Sequence, residues 1–101
     1  MFHLLAALYA ISAAAHFALI ARYGAAGNGG ALAFGFIYAA LAVAVFLGLP
    51  YALWIGLGFT LIGIVGLSLN FIPIAKTVTV GVVLWAIDAA VIGITLALLF
   101  A

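Results

Sequence analysis

Hydrophobic residues along this chain do not alternate with polar ones. They run in long uninterrupted stretches, and the polar residues and helix breakers fall mostly between them. A helix needs about 20 apolar residues to cross the hydrocarbon layer of a bilayer, and four runs approach or reach that length. Residues 2–21 form the first, closed by Arg22 and by Gly24, Gly27, Asn28, Gly29 and Gly30, a stretch too permissive and polar to stay helical in lipid. Residues 31–49 form the second. The reversal Gly48-Leu49-Pro50-Tyr51 follows, since Pro50 has no amide hydrogen and pushes Leu49 away from helical angles. The third run covers residues 51–70, the segment Asn70-Phe71-Ile72-Pro73-Ile74-Ala75-Lys76 is the next break, and residues 77–100 form the fourth. The runs lack a period of two and are rich in Ala and Leu, which argues against a β-barrel. The predicted fold is all-α: one polytopic transmembrane domain over residues 1–101, built as a bundle of four membrane helices.

Composition sharpens this picture. Of 101 residues, 73% are hydrophobic and 3% charged, whereas about a quarter of a soluble domain is charged. Such a chain exposes too much apolar surface for water, so the lipid bilayer is its expected surrounding. The net charge of +1 comes from Arg22, Lys76 and Asp88, too little to attract nucleic acid. The absence of cysteine excludes disulfides and thiol chemistry. No basic stretch precedes the first run, so a cleavable leader is not expected. Arg22 and Lys76 fall in the first and third loops, on one side of the membrane. The positive-inside rule makes that side cytoplasmic and leaves both termini and the Pro50 turn outside. With only two charges deciding, insertion in both orientations is an open alternative.

Association of helices in lipid relies on small residues that let backbones approach. The third run offers Gly56, Thr60, Gly63, Gly66 and Asn70 at spacings of three or four, and the second offers Ala31, Gly35, Ala39 and Ala42. Either stripe serves plain packing within the chain or the seam of a homodimer.

The candidate chemistry lies inside the spans. Asp88 is the only acid and falls near the middle of the fourth run. A charged group at that depth costs about 2.5–3.5 kcal/mol on insertion scales, so intramembrane acids face a bundle interior or a wet cavity. On the first run Tyr9, Ser12 and His16 form a polar stripe, because seven residues turn a helix by about 700°. Tyr38 on the second run and Thr60 on the third lie at similar depths. The expectation is that Asp88 meets His16 in the bundle, with Tyr9, Ser12, Tyr38 and Thr60 completing a hydrogen-bonded proton or cation site. The alternative is a polar cluster that only fixes helix register. The face of Asp88 is expected to continue through Gly81, Trp85, Ile92 and Thr95, with Trp85 packed in the bundle. Tyr51 and Trp54 are expected at the outer end of the third span, anchoring it at the interface or lining an outward cavity. His3 and His16 stand about 140° apart around one helix, which excludes a paired haem site; one haem shared by the His16 of two chains is the only such arrangement left. No metal or other cofactor is expected.

The segment Tyr51-Ala52-Leu53-Trp54-Ile55-Gly56-Leu57-Gly58-Phe59-Thr60-Leu61-Ile62 resembles the third helix of the small multidrug resistance transporters, four-helix drug and metabolite exporters of similar length. The resemblance implies an antiparallel homodimer that exports cationic compounds against protons. It also implies that Tyr51 and Trp54 face substrate and that Gly56 and Gly58 permit close packing or bending. That family carries a glutamate in the middle of its first helix, which has no counterpart here, so a carboxylate would have to come from Asp88 on the fourth.

Two functions follow as expectations. One is an oligomeric transporter or channel linked to protons or cations, with a dimer favoured. The other is an accessory subunit of a larger membrane complex without activity of its own. An enzyme is not expected, because one carboxylate, no cysteine and two histidines on different faces do not assemble a nucleophile, base or metal constellation.

Overall fold

The computed structural model describes residues 2–24, 26, 29–69 and 78–100, with the side chains of 67 and 78–81 outside the description. Among the described residues there are four α-helices and no strand: α1 (Phe2–Tyr23), α2 (Gly29–Phe46), α3 (Ala52–Leu69) and α4 (Val78–Phe100). Phe2–Tyr23, Gly29–Phe46 and the stretch Val82–Phe100 of α4 are long and apolar enough to cross a membrane, while the apolar stretch Ala52–Gly66 of α3 is shorter. The protein is therefore an all-α, multi-pass membrane protein. The Asn70–Lys76 break, including Lys76, together with Gly27 and Asn28, lies outside the described residues.

The helix ends follow from glycine geometry rather than charge. Arg22 was expected to close the first helix, but α1 runs through Arg22 and Tyr23. Its stop is Gly24, at φ +81°, whose amide donates to the Ile20 carbonyl at 2.8 Å. A cation in the last turn suits the partial negative charge of a helix C-terminus, and the Arg22 guanidinium lies 5.9 Å from the centre of the Tyr23 ring.

α2 stops at Phe46 rather than at Leu49. Gly48 takes φ +71°, its amide donates to Val45 O at 3.0 Å, and the Leu49 amide reaches back to Ala44 O at 3.1 Å. This pair of bonds is a Schellman cap, which satisfies the last carbonyls of a helix through a left-handed residue that only glycine adopts cheaply. Pro50 then prevents the helix from resuming, and the Ala52 amide, bonded to Leu49 O at 3.2 Å, opens α3.

The chain divides into two compact units, Met1–Ala52 and Leu53–Ala101. The first holds α1 and α2 as an antiparallel hairpin. His3 stacks on Phe46 at 5.2 Å near one end, Tyr9 meets Tyr38 at 5.6 Å in the middle, and Phe17 sits edge-on to Phe36 at 5.1 Å toward the other end. Close approach there depends on Gly35, where an added Cβ would stand 2.9 Å from Phe17 Cε1.

The second unit holds α4 and all of α3 but its first residue. Trp54 meets the ring of Phe100 edge-on at 6.1 Å, and Trp85 Nε1 donates to Ser68 Oγ at 3.1 Å. These two pairings join the start of α3 to the end of α4 and the end of α3 to the start of α4, so the helices run antiparallel.

Candidate functional site

In lipid every backbone group is satisfied inside its own helix, so polar chemistry falls to the few polar side chains. Among the described residues seven of them are buried: Tyr9, Ser12 and His16 on α1, Tyr38 on α2, Thr60 on α3, and Asp88 and Thr95 on α4. The first four belong to one unit and the last three to the other.

On α1 the buried positions Leu5, Tyr9, Ser12 and His16 repeat at three or four residues and share one face. His16 Nδ1 lies 2.7 Å from the Ser12 carbonyl oxygen. A carbonyl only accepts, so Nδ1 carries the hydrogen, and the neutral ring keeps Nε2 as its acceptor. The ring is fixed on two further sides. Tyr38 stands edge-on at 5.4 Å and Phe34 lies nearly parallel at 6.4 Å, while Phe34 and Tyr38 are 5.6 Å apart. Tyr38 is thus the hub of a ring cluster with Tyr9, His16 and Phe34. Phe34 is a member the polarity pattern did not indicate, because an aromatic in an apolar run carries no polar signal. Ser12 Oγ is buried and has no hydrogen-bond partner, so its carbonyl, not its hydroxyl, is what it contributes to His16.

In the second unit Asp88 is 2% exposed. Its buried neighbours on α4 are Leu84, Val91 and Thr95, at offsets of four, three and seven residues, which define a single face. This corrects the expected face through Trp85 and Ile92. Trp85 is 42% exposed and does not pack inside; Ser68 takes its indole hydrogen, and Ser68 in turn donates to Ile64 O at 2.8 Å. Satisfied in this way, the indole needs no interior position. On α3 Thr60 is fully buried and donates to Gly56 O at 2.6 Å. None of Tyr9, Tyr38, Thr60 and Asp88 is left without an interaction.

The small-residue positions divide. Gly35 takes the ring of Phe17, and Gly56 is buried and supplies the carbonyl to Thr60. Gly63 and Gly66 are half-buried, and a Cβ at Gly66 would have nothing within 4 Å. Asn70, the last member of that stripe, and the Gly81 position of α4 have no described side-chain surroundings. Tyr51, in the turn before α3, is 72% exposed, and Trp54 is 54% exposed with its ring against Phe100. Among the described residues no three His, Asp or Glu side chains lie together as a metal site would require.

No protein family, curated protein or solved structure matches this chain. The chemistry of these side chains therefore carries the functional reading.

Proposed function

We propose that the protein is a small transporter or channel, linked to protons or cations and working as an oligomer, with Asp88 as the group that binds the ion. One observation carries this reading: the only acid of the chain is buried near the middle of an apolar membrane helix. An acid at that depth is costly, and such residues mark ion pathways and proton relays. The local resemblance of residues 51–62 to the third helix of the small multidrug resistance transporters supports the same class, with an organic cation as cargo, Tyr51 and Trp54 toward it, and a dimer as the working unit. Four short helices scarcely enclose a pocket of the roughly 300 Å³ that a drug-sized ligand needs, which also supports an oligomer. Enzymatic chemistry forms no part of this reading.

Flux through purified protein in liposomes tests it. Under an imposed potential, parent protein is expected to carry protons or a lipophilic cation. Asp88→Asn, which keeps the shape and removes the charge, is expected to lower that flux at least about tenfold with folding intact, a rise of about 1.4 kcal/mol or more in the barrier. Equal flux in the two proteins would remove Asp88 from the mechanism.

A second reading, an accessory subunit, draws on Gly58, Gly66 and Gly93. Each has open space where a side chain would stand, and such small positions let a larger membrane protein approach closely. Recovery from native membranes only with a larger partner, and no flux alone, would favour it.

A further inference from the structure

The described side chains of the second unit include three aliphatic hydroxyls, and they differ in one respect. Thr60 and Ser68 each donate to the carbonyl four residues back, at Gly56 and Ile64. Thr95 Oγ1 has no hydrogen-bond partner, although the residue is 0% exposed. Bonding to the carbonyl of the preceding turn is the simplest way for a helical threonine to satisfy its hydroxyl in lipid. Without that bond, the buried Thr95 hydroxyl still lacks a partner.

Its position gives that lack meaning. Thr95 follows Asp88 by seven residues, so the two side chains leave α4 within about 20° of each other and about 10 Å apart along the axis. The antiparallel pairings of Trp54 with Phe100 and of Ser68 with Trp85 set Thr60 level with Gly93 and Ile94, within one turn of Thr95. The Thr60 hydroxyl gives its hydrogen to Gly56 O, so any further partner of its oxygen has to be a donor. An ionised Asp88 also only accepts, and Thr95 can do so as well. Acceptor oxygens on one face select a ligand that brings donors. A dehydrated alkali ion would need a ring of oxygens, which two hydroxyls do not supply.

We propose that Thr95 Oγ1, within one turn of the level of Thr60 and on the face of Asp88, is a second polar station on the ion path, binding a small cation that carries its own hydrogen-bond donors, hydronium or a primary ammonium group. The proposal rests on the transport reading of Asp88 and names the ligand chemistry of the same path. Among the described buried residues of this face, Leu84 and Val91 are apolar, and Asp88 and Thr95 are the polar ones.

Three variants, Thr95→Val, Thr95→Ser and Asp88→Asn, are compared with parent protein in two measurements. The first is proton flux into liposomes loaded with a pH-sensitive dye. The second is the ¹³C shift of residue 95 in nanodiscs as methylammonium is added. The expected result is flux at least tenfold lower for Thr95→Val, largely retained for Thr95→Ser, and a shift at Thr95 that saturates with methylammonium. Thermal stability of Thr95→Val should equal or exceed that of the parent, because an unpartnered hydroxyl has been exchanged for a methyl of the same shape. Parent-like flux in Thr95→Val and no saturating shift at Thr95, with flux lost in Asp88→Asn, overturns the second station and leaves the role of Asp88 standing. Absent flux in the parent with a saturating shift at Thr95 removes transport and retains the binding station. Absence of both overturns both. A methylammonium shift without a proton-flux defect in Thr95→Val assigns the station to the ammonium group alone.

Discussion

A methyl group added at Gly35 would stand 2.9 Å from Phe17 Cε1, and that ring has a second neighbour in Phe36, edge-on at 5.1 Å. Gly35→Ala is therefore expected to destabilise the protein by about 1 kcal/mol, the lower end of overpacking costs. Gly93 sits in α4 with nothing within 4 Å of the same construction, so Gly93→Ala should range from neutral to about 1 kcal/mol more stable through helix propensity. Unfolding midpoints in mixed detergent micelles measure both, and a Gly35→Ala protein as stable as the parent would show that Phe17 is free to move aside. The burial of Tyr9, Ser12, His16, Tyr38, Thr60 and Asp88 was legible in the sequence, because a polar side chain in an apolar run must hide from lipid. Direction finer than about 60° was not. Leu84 and Trp85 flank the Asp88 direction by about 40° and 60°, and in a helix that is apolar all round nothing but packing chooses Leu84.

Among the elements, breaks were easier to read than caps. The Gly48-Leu49-Pro50 signal located the turn, yet the helix before it ends at Phe46, because a Schellman cap consumes the residues up to Leu49. Likewise Arg22 ends the uncharged run, but Gly24 stops the helix. The α3–α4 pairing carried no sequence signal, since Ser68 and Trp85 are seventeen residues apart and share no periodicity. Their bond is nonetheless testable as the polar tie of that hairpin. Ser68→Ala leaves the Trp85 indole hydrogen without its acceptor, and a hydrogen bond between membrane helices is worth about 0.6 kcal/mol on average and at most about 1.7. A destabilisation in that range is expected, together with a shift in the emission of Trp85 recorded in a Trp54→Phe background. An unchanged spectrum would mean the indole finds another acceptor, and the tie would lose its significance.

For the whole molecule, orientation is the property most easily overturned by small changes, because only Arg22 and Lys76 bias it. Charged residues near span ends set topology by resisting translocation, and acids contribute little. Two cations on the same side should favour cytoplasmic first and third loops, but only modestly. The cysteine-free sequence makes this measurable with single introduced thiols. In intact cells Leu49→Cys is expected to react with a membrane-impermeant maleimide and Ala26→Cys only after permeabilisation. Moving the charge should reverse the pattern. Replacing Arg22 and Lys76 by Ala while introducing Leu47→Lys puts the sole cation in the other loop, at an exposed turn position where the new side chain disturbs no packing. Ala26→Cys should then label from outside and Leu49→Cys from within. Equal labelling of both positions in the parent would mean that the chain inserts both ways. An oligomer would then draw on protomers of opposite orientation, the arrangement that the resemblance of residues 51–62 implies for a dimer.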